Sequence, residues 1–280
     1  MKKASNIIER EHEKSILLDV SYRGDGKKKP IVIFCHGYKG FKDWGYWNAM
    51  AEKYAEANFF FLKFNFSYNG GTINEPIDFP DLTAFGENNF IRELDDLETV
   101  ISWITSPLNT YSKEININEI ILIGHSRGGG IVSIKASEDR RVSKVITLAG
   151  VSDYKSRFPV GQELAHWEKE GVVFIENSRT KQQMPHYFQF YTNFIENEQR
   201  LTISKAIKNL SKPYLILHGT ADETVPLKEA KDLHSWNTKS ELFTIQNANH
   251  VFGSSHPCDK ETLPVDLQIA ITKTIGFIKE

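Results

Sequence analysis

The chain has 280 residues, 40% hydrophobic and 25% charged, the composition of a globular protein and enough length for one large α/β domain. Its 34 basic and 36 acidic residues leave a formal net charge of −2, which gives no support to a nucleic-acid partner or to attraction by an anionic membrane surface. Two cysteines, Cys35 and Cys258, are too few for a disulfide framework, and no apolar run approaches membrane-spanning length.

The N-terminus opens Met1-Lys2-Lys3 but continues through Ser5, Asn6, Glu9, Arg10 and Glu11, without the apolar stretch that export requires. A cytoplasmic location is expected. Ser15 to Tyr22 reads as a strand. Lys27-Lys28-Lys29, flanked by Gly24, Gly26 and Pro30, reads as a solvated turn. Ile31 to Cys35 is a fully apolar run ending at His36-Gly37, with Cys35 a small core residue. Tyr46 to Ala57 has helical spacing through Trp47, Met50, Ala51 and Tyr54, and Phe59 to Phe64 is a second apolar run. Asn89 to Ile104 sets Leu94, Leu97, Ile101 and Ile104 on one helix face. Glu119 to Ile123 is a strand, and Ile131 to Ala136 continues a helix that starts near Ser126. Val142 to Leu148 is again strand-like.

Apolar strands separated by helices predict a mostly parallel sheet covered on both faces. The rhythm breaks after Gly150. Residues 151–205 are rich in charge and in aromatics, with a hairpin-like pattern between Gly171 and Pro185. They are predicted to be a cap inserted over one end of the sheet within a single domain spanning 1–280. The rhythm resumes with a strand at Pro213 to Leu217, a helix at Leu227 to Leu233, a strand at Glu241 to Ile245 and a helix from about Val265 to Ile278.

Gly124-His125-Ser126-Arg127-Gly128 stands between a predicted strand and a predicted helix. A serine on such a sharp turn projects its hydroxyl from the carboxyl end of the sheet, and the glycines allow strand and helix to approach closely. Ser126 is therefore the candidate nucleophile. A serine nucleophile needs donors for the negative oxygen of its tetrahedral intermediate. The backbone N–H of Arg127 is one candidate. The N–H of Tyr38, in His36-Gly37-Tyr38-Lys39-Gly40, is the other, with His36 orienting that loop.

The acid and base on such a sheet follow the serine in chain order, each after a later strand. Asp222, in His218-Gly219-Thr220-Ala221-Asp222-Glu223, is the candidate acid. His250, in Asn249-His250-Val251-Phe252, is the candidate base, with His256 as its competitor. No metal-ligand spacing and no nucleotide-binding glycine loop is found, so neither metal nor cofactor is expected.

The segments H-G-Y-K-G-F-K-D-W-G at 36–45, F-N-F-S at 64–67, G-H-S-R-G-G at 124–129, N-S-R-T-K-Q-Q-M-P at 177–185, H-G-T-A-D-E-T-V-P at 218–226 and N-H-V-F at 249–252 resemble the α/β-hydrolase superfamily. Within it they resemble bacterial esterases related to cinnamoyl and feruloyl esterases. The resemblance implies an α/β-hydrolase fold, a Ser126, Asp222 and His250 triad and a small cap at 151–205. The chain is also similar to dienelactone hydrolases, but those use a cysteine nucleophile, and serine at 126 argues against that chemistry.

The expected activity is hydrolysis of a small-molecule carboxylic ester through an acyl-enzyme. A thioesterase or serine peptidase on the same triad is the first rival, and a non-catalytic binder on the same scaffold the second. Trp167, Tyr187, Phe188 and Tyr191 are expected to contact substrate, with anchoring of the cap on the core as their alternative role. Monomer and homodimer are both open.

Overall fold

The structure, a computed structural model, describes residues 1–258 and 262–280. The chain opens with strands β1 (Lys2–Ile8), β2 (Ile16–Tyr22) and β3 (Lys29–Cys35). Helix α1 (Trp47–Glu56) and strand β4 (Phe60–Phe64) follow, then helices α2 (Leu82–Glu87) and α3 (Phe90–Thr105). Next come β5 (Ile115–His125), α4 (Arg127–Glu138) and β6 (Val142–Leu148). The next segment supplies α5 (Gln162–Glu170), the hairpin β7 (Val172–Glu176) and β8 (Gln183–Tyr187), and helices α6 (Gln189–Glu196), α7 (Glu198–Leu201) and α8 (Ile203–Lys208). The chain closes with β9 (Tyr214–Gly219), α9 (Leu227–Trp236), β10 (Glu241–Ile245) and α10 (Val265–Lys279).

Eight strands form one sheet in the order β1-β2-β4-β3-β5-β6-β9-β10. The β1–β2 and β2–β4 pairs are antiparallel, and the other five are parallel. This is the mostly parallel, doubly covered sheet expected from the apolar runs. Successive strand residues point to opposite faces, so each run feeds two cores. Ile31, Ile33 and Cys35 pack with α3, α4 and α8 on one face. Val32 and Phe34 pack with α1 and α10 on the other. All of β3 from Ile31 to Cys35 is fully buried, which is why it reads as an unbroken apolar run without alternation. Among the described residues, no helix is long and apolar enough to cross a membrane.

Three local expectations change. Lys2 to Ile8 is a strand: it is an edge strand, exposed or half-buried throughout, so it carries no apolar run to signal it. Strand β5 begins at Ile115, four residues before Glu119. Lys29 is not in a solvated turn. It opens β3 fully buried, with its ammonium 2.6 Å from Asp25 and 2.9 Å from Glu114. Those two carboxylates, one before it in sequence and one beside it on the approach to β5, offset the cost of burying the charge.

Helix α3 starts at an Asn89 cap, whose side-chain oxygen accepts the Arg92 N–H at 2.9 Å. The same helix carries buried Asp96. Its carboxylate accepts the Ser67 N–H at 2.7 Å and the Ser67 hydroxyl at 2.9 Å, and it pairs with Arg10 at 2.9 Å. The F-N-F-S segment after β4 is thereby tied to α3. Burial pushes the Asp96 carboxyl up to about 7, outweighing the pull of Arg10 and Ser67. An unfolded chain releases this proton near pH ~4. Between there and about 7 the folded chain holds a proton the unfolded chain lacks, so stability falls as pH rises. Thermal melting of Asp96→Asn is expected to show a shallower fall across that window than the parent. An identical slope would assign the proton to another group.

Candidate active site

Ser126 sits between the end of β5 and the first turn of α4 with φ 56° and ψ −122°. A side chain other than glycine in that region costs about 1–3 kcal/mol and persists only where its surroundings over-determine it. They do so here. The Ser126 N–H donates to the Leu148 carbonyl at 2.9 Å, and its own carbonyl accepts from Gly129 at 2.9 Å and Val151 at 3.2 Å. Gly124 is required by proximity, since a Cβ there would stand 2.2 Å from the Gly128 carbonyl oxygen. Gly37 is required for the same reason: its Cβ would meet the Ser126 Cβ at 2.9 Å, so the 36–40 loop runs directly against the serine.

The loops after β9 and β10 bring the other two residues to it. His250 Nε2 is 3.0 Å from Ser126 Oγ, and His250 Nδ1 is 2.8 Å from Asp222 Oδ2. Asp222 is buried, and its Oδ1 accepts the N–H groups of Thr224 at 2.9 Å and Val225 at 2.8 Å. Burial alone would raise its pKa. Hydrogen bonds from His218, His250 and the Val225 N–H outweigh that and hold the carboxyl well below the usual range. An ionised Asp222 can only accept, so His250 Nδ1 carries the proton and Nε2 faces the serine hydroxyl as an acceptor. His256 is elsewhere: its ring stacks on Trp44, and its Nδ1 accepts the Gly45 N–H at 3.1 Å.

Two histidines that sequence reasoning left without a role support this arrangement. His125 is buried beside His250, and its Nε2 lies 2.9 Å from the His250 carbonyl, to which it donates. Burial, reinforced by His250, lowers its pKa to about 3, so it is a neutral donor. His218 lies 2.8 Å from the Val225 carbonyl and 3.4 Å from Asp222, bracing the loop that carries Asp222. The signal was available, since both histidines fall inside the quoted motifs, but only packing assigns them partners.

His36 is buried. Its Nδ1 lies 2.9 Å from the Gly37 carbonyl, and its Nε2 accepts the Phe66 N–H at 3.2 Å, so the ring holds the loop it begins. Among the described residues, the N–H groups of Tyr38 and Arg127 donate to no protein acceptor. The Arg127 side chain pairs with buried Glu93 at 2.8 Å and lies on the Phe90 and Phe190 rings.

Ser126 opens onto a cavity of about 600 Å³. Its wall includes Tyr38, Phe90, Tyr154, Phe158, Trp167, His186 and Phe190. Of the four aromatics expected to contact substrate, only Trp167 lines it. Tyr187 packs against Gly86, while Phe188 meets Trp167 edge-on and Tyr191 packs at a tilt against both, outside the lining. The aromatic and imidazole rings missed are Tyr154, Phe158, His186 and Phe190 from the 151–205 segment and Phe90 from α3. They converge from α3, β8, α6 and the connection between β6 and α5, and nothing local in sequence distinguishes an aromatic that faces the cavity from one that faces its neighbour.

The sheet order together with a strained serine at the end of β5 defines an α/β-hydrolase fold. Residues 18–237 match the BD-FAE family, and the chain belongs to it. Its enzyme class is that of a carboxylic ester hydrolase. The chain is 23% identical over 209 residues to the uncharacterized hydrolase YugF of Bacillus subtilis (strain 168), a match covering 63% of this chain and 74% of YugF. Among solved structures, Est1E of Butyrivibrio proteoclasticus aligns with a TM-score of 0.69 and 16% identity, over 98% of this chain and 97% of its own. GrgF of Penicillium sp. sh18 aligns with a TM-score of 0.70 and 15% identity, over 100% and 98%. At such identities these two structures speak for the fold.

Proposed function

We propose that the protein hydrolyses esters of aryl or medium-length carboxylic acids, with Ser126 as nucleophile, His250 as base and Asp222 as its orienting acid. The observation that carries this reading is the continuous relay from Asp222 through His250 to Ser126, at 2.8 and 3.0 Å, opening onto the aromatic cavity. Ser126 Oγ adds to the ester carbonyl carbon while His250 Nε2 takes its proton. The carbonyl oxygen becomes the oxyanion, held by the N–H groups of Tyr38 and Arg127. Collapse of the intermediate expels the alkoxide, which takes the proton from His250 and leaves as the alcohol. Water then repeats the sequence on the acyl-enzyme and frees the acid.

An aromatic cavity beside the serine suits an aryl acyl group, and the ferulic acid held by Est1E in one of its structures is of that kind. A panel of methyl ferulate, p-nitrophenyl acetate, an acyl-CoA and an aminoacyl nitroanilide tests the reading. Methyl ferulate is expected to give the highest kcat/KM of the four. The reading falls if the thioester or the amide is turned over far faster than both oxygen esters.

A further inference from the structure

Tyr38 does more than offer a backbone N–H. Its phenol oxygen is 2.7 Å from Nε2 of His186, on strand β8 of the hairpin that walls the cavity. The other nitrogen of that ring, Nδ1, is 3.2 Å from the Met184 carbonyl, so it must carry the proton. Nε2 is then an acceptor, and Tyr38 O–H the donor. The next residue makes a second tie to the same hairpin, with Lys39 Nζ 3.1 Å from the Glu176 carbonyl on β7. Lys39 has φ 54°, a left-handed conformation that a residue with a side chain keeps only under constraint. His186 is itself held on two sides. Its carbonyl accepts the Trp167 indole N–H at 2.8 Å, and its ring meets Phe85 edge-on at 5.6 Å. Tyr38, His186 and Trp167 all line the cavity that holds Ser126.

We propose that His186 is a positioning residue: through its hydrogen bond to the Tyr38 phenol, the wall of the substrate cavity sets the Tyr38 N–H at the distance the oxyanion requires. A group filling the cavity presses on the same rings that hold the donor, so occupancy and transition-state stabilisation are linked. An acyl chain long enough to reach His186 therefore gains in kcat as well as in KM. The inference rests on the proposed roles of Ser126 and the Tyr38 N–H. Small misplacements of a catalytic group are costly in rate, so loss of the bond is expected to cost about tenfold.

The test uses the full chain with Tyr38→Phe, His186→Phe and the double variant, assayed on methyl ferulate. Each single variant is expected to lower kcat about tenfold with KM within about twofold, since an orientation effect is expressed in the transition state. The double variant should lose no more than either single one, because both remove the same bond. His186→Gln, whose carbonyl can accept the Tyr38 O–H, should recover most of the rate. An arylboronic acid, which adds to the serine to form a tetrahedral anion, should lose affinity in both single variants in parallel with kcat. An unchanged kcat in Tyr38→Phe overturns the proposal, as does a rise in KM alone or a double variant whose losses multiply. Should His186→Phe melt early, Tyr38→Phe, which keeps the ring, decides the matter. Covalent labelling of wild type by a fluorophosphonate separates the two ideas. Without labelling at Ser126 the serine mechanism fails, whereas normal labelling with an unchanged Tyr38→Phe defeats only the role of His186.

Discussion

Ser126→Ala is expected to lower kcat on its best ester by roughly 10⁵–10⁶-fold, the scale seen when a serine nucleophile of such a triad is removed. The remaining rate over water would come from binding and the oxyanion donors, which the substitution leaves in place. Labelling by a fluorophosphonate should disappear altogether. The fold should tolerate the change. Alanine keeps the Cβ that already occupies the φ 56° conformation, and the hydrogen bonds pinning the turn come from backbone atoms of Leu148, Gly129 and Val151. Persistent labelling, or turnover near the parent's rate, would mean that another group is the nucleophile.

Asp222→Asn is expected to cost about 10⁴-fold in kcat with little change in KM. The Asp222 carboxylate accepts from Thr224, Val225 and His250 at 2.8–2.9 Å, with His218 at 3.4 Å. An amide has a single oxygen for these donors. Turned toward the backbone, it presents its NH2 to His250 Nδ1, favouring the tautomer with the proton on Nε2. That tautomer cannot accept the serine proton. The pH dependence of stability follows from the same group. Its folded pKa lies below its ordinary value, so its stabilising contribution is complete above the unfolded value of ~4 and is lost as pH falls through the lower folded one. The melting-temperature gap between parent and variant should therefore shrink in acid. A variant with the parent's kcat would remove Asp222 from the mechanism.

The parts of this protein that were legible in sequence are those governed by local rules. The strand signals at Ile31–Cys35, Phe59–Phe64 and Glu119–Ile123 announced central strands because parallel strands are buried on both faces. The glycines around Ser126 announced a turn that only small neighbours allow. Asp222 and His250 stand out in sequence by their position in loops after later strands, and those loops bring His250 within 2.8 Å of Asp222 and 3.0 Å of Ser126. Edge strand β1 was missed because it is too exposed to carry an apolar run, and Lys29 was misassigned because the partners that permit its burial, Asp25 and Glu114, lie four and 85 residues away.

The cavity is the opposite case. Trp167 lines it, while Tyr187, Phe188 and Tyr191 do not. Phe90 lines it from a helix that sequence treats only as core. Residue type is the same on both sides of that division. What separates them is the direction each ring takes once α3, α5, the β7–β8 hairpin and α6 have packed together. Sequence by itself therefore determined the sheet, the strained serine and the order of its partners, because each depends on backbone geometry or on strand position. Only the tertiary structure decided that His125 and His218 brace the relay and that His186 reaches the Tyr38 hydroxyl. Those roles are hydrogen bonds between groups up to 148 residues apart, and no local pattern encodes which of several histidines will meet them.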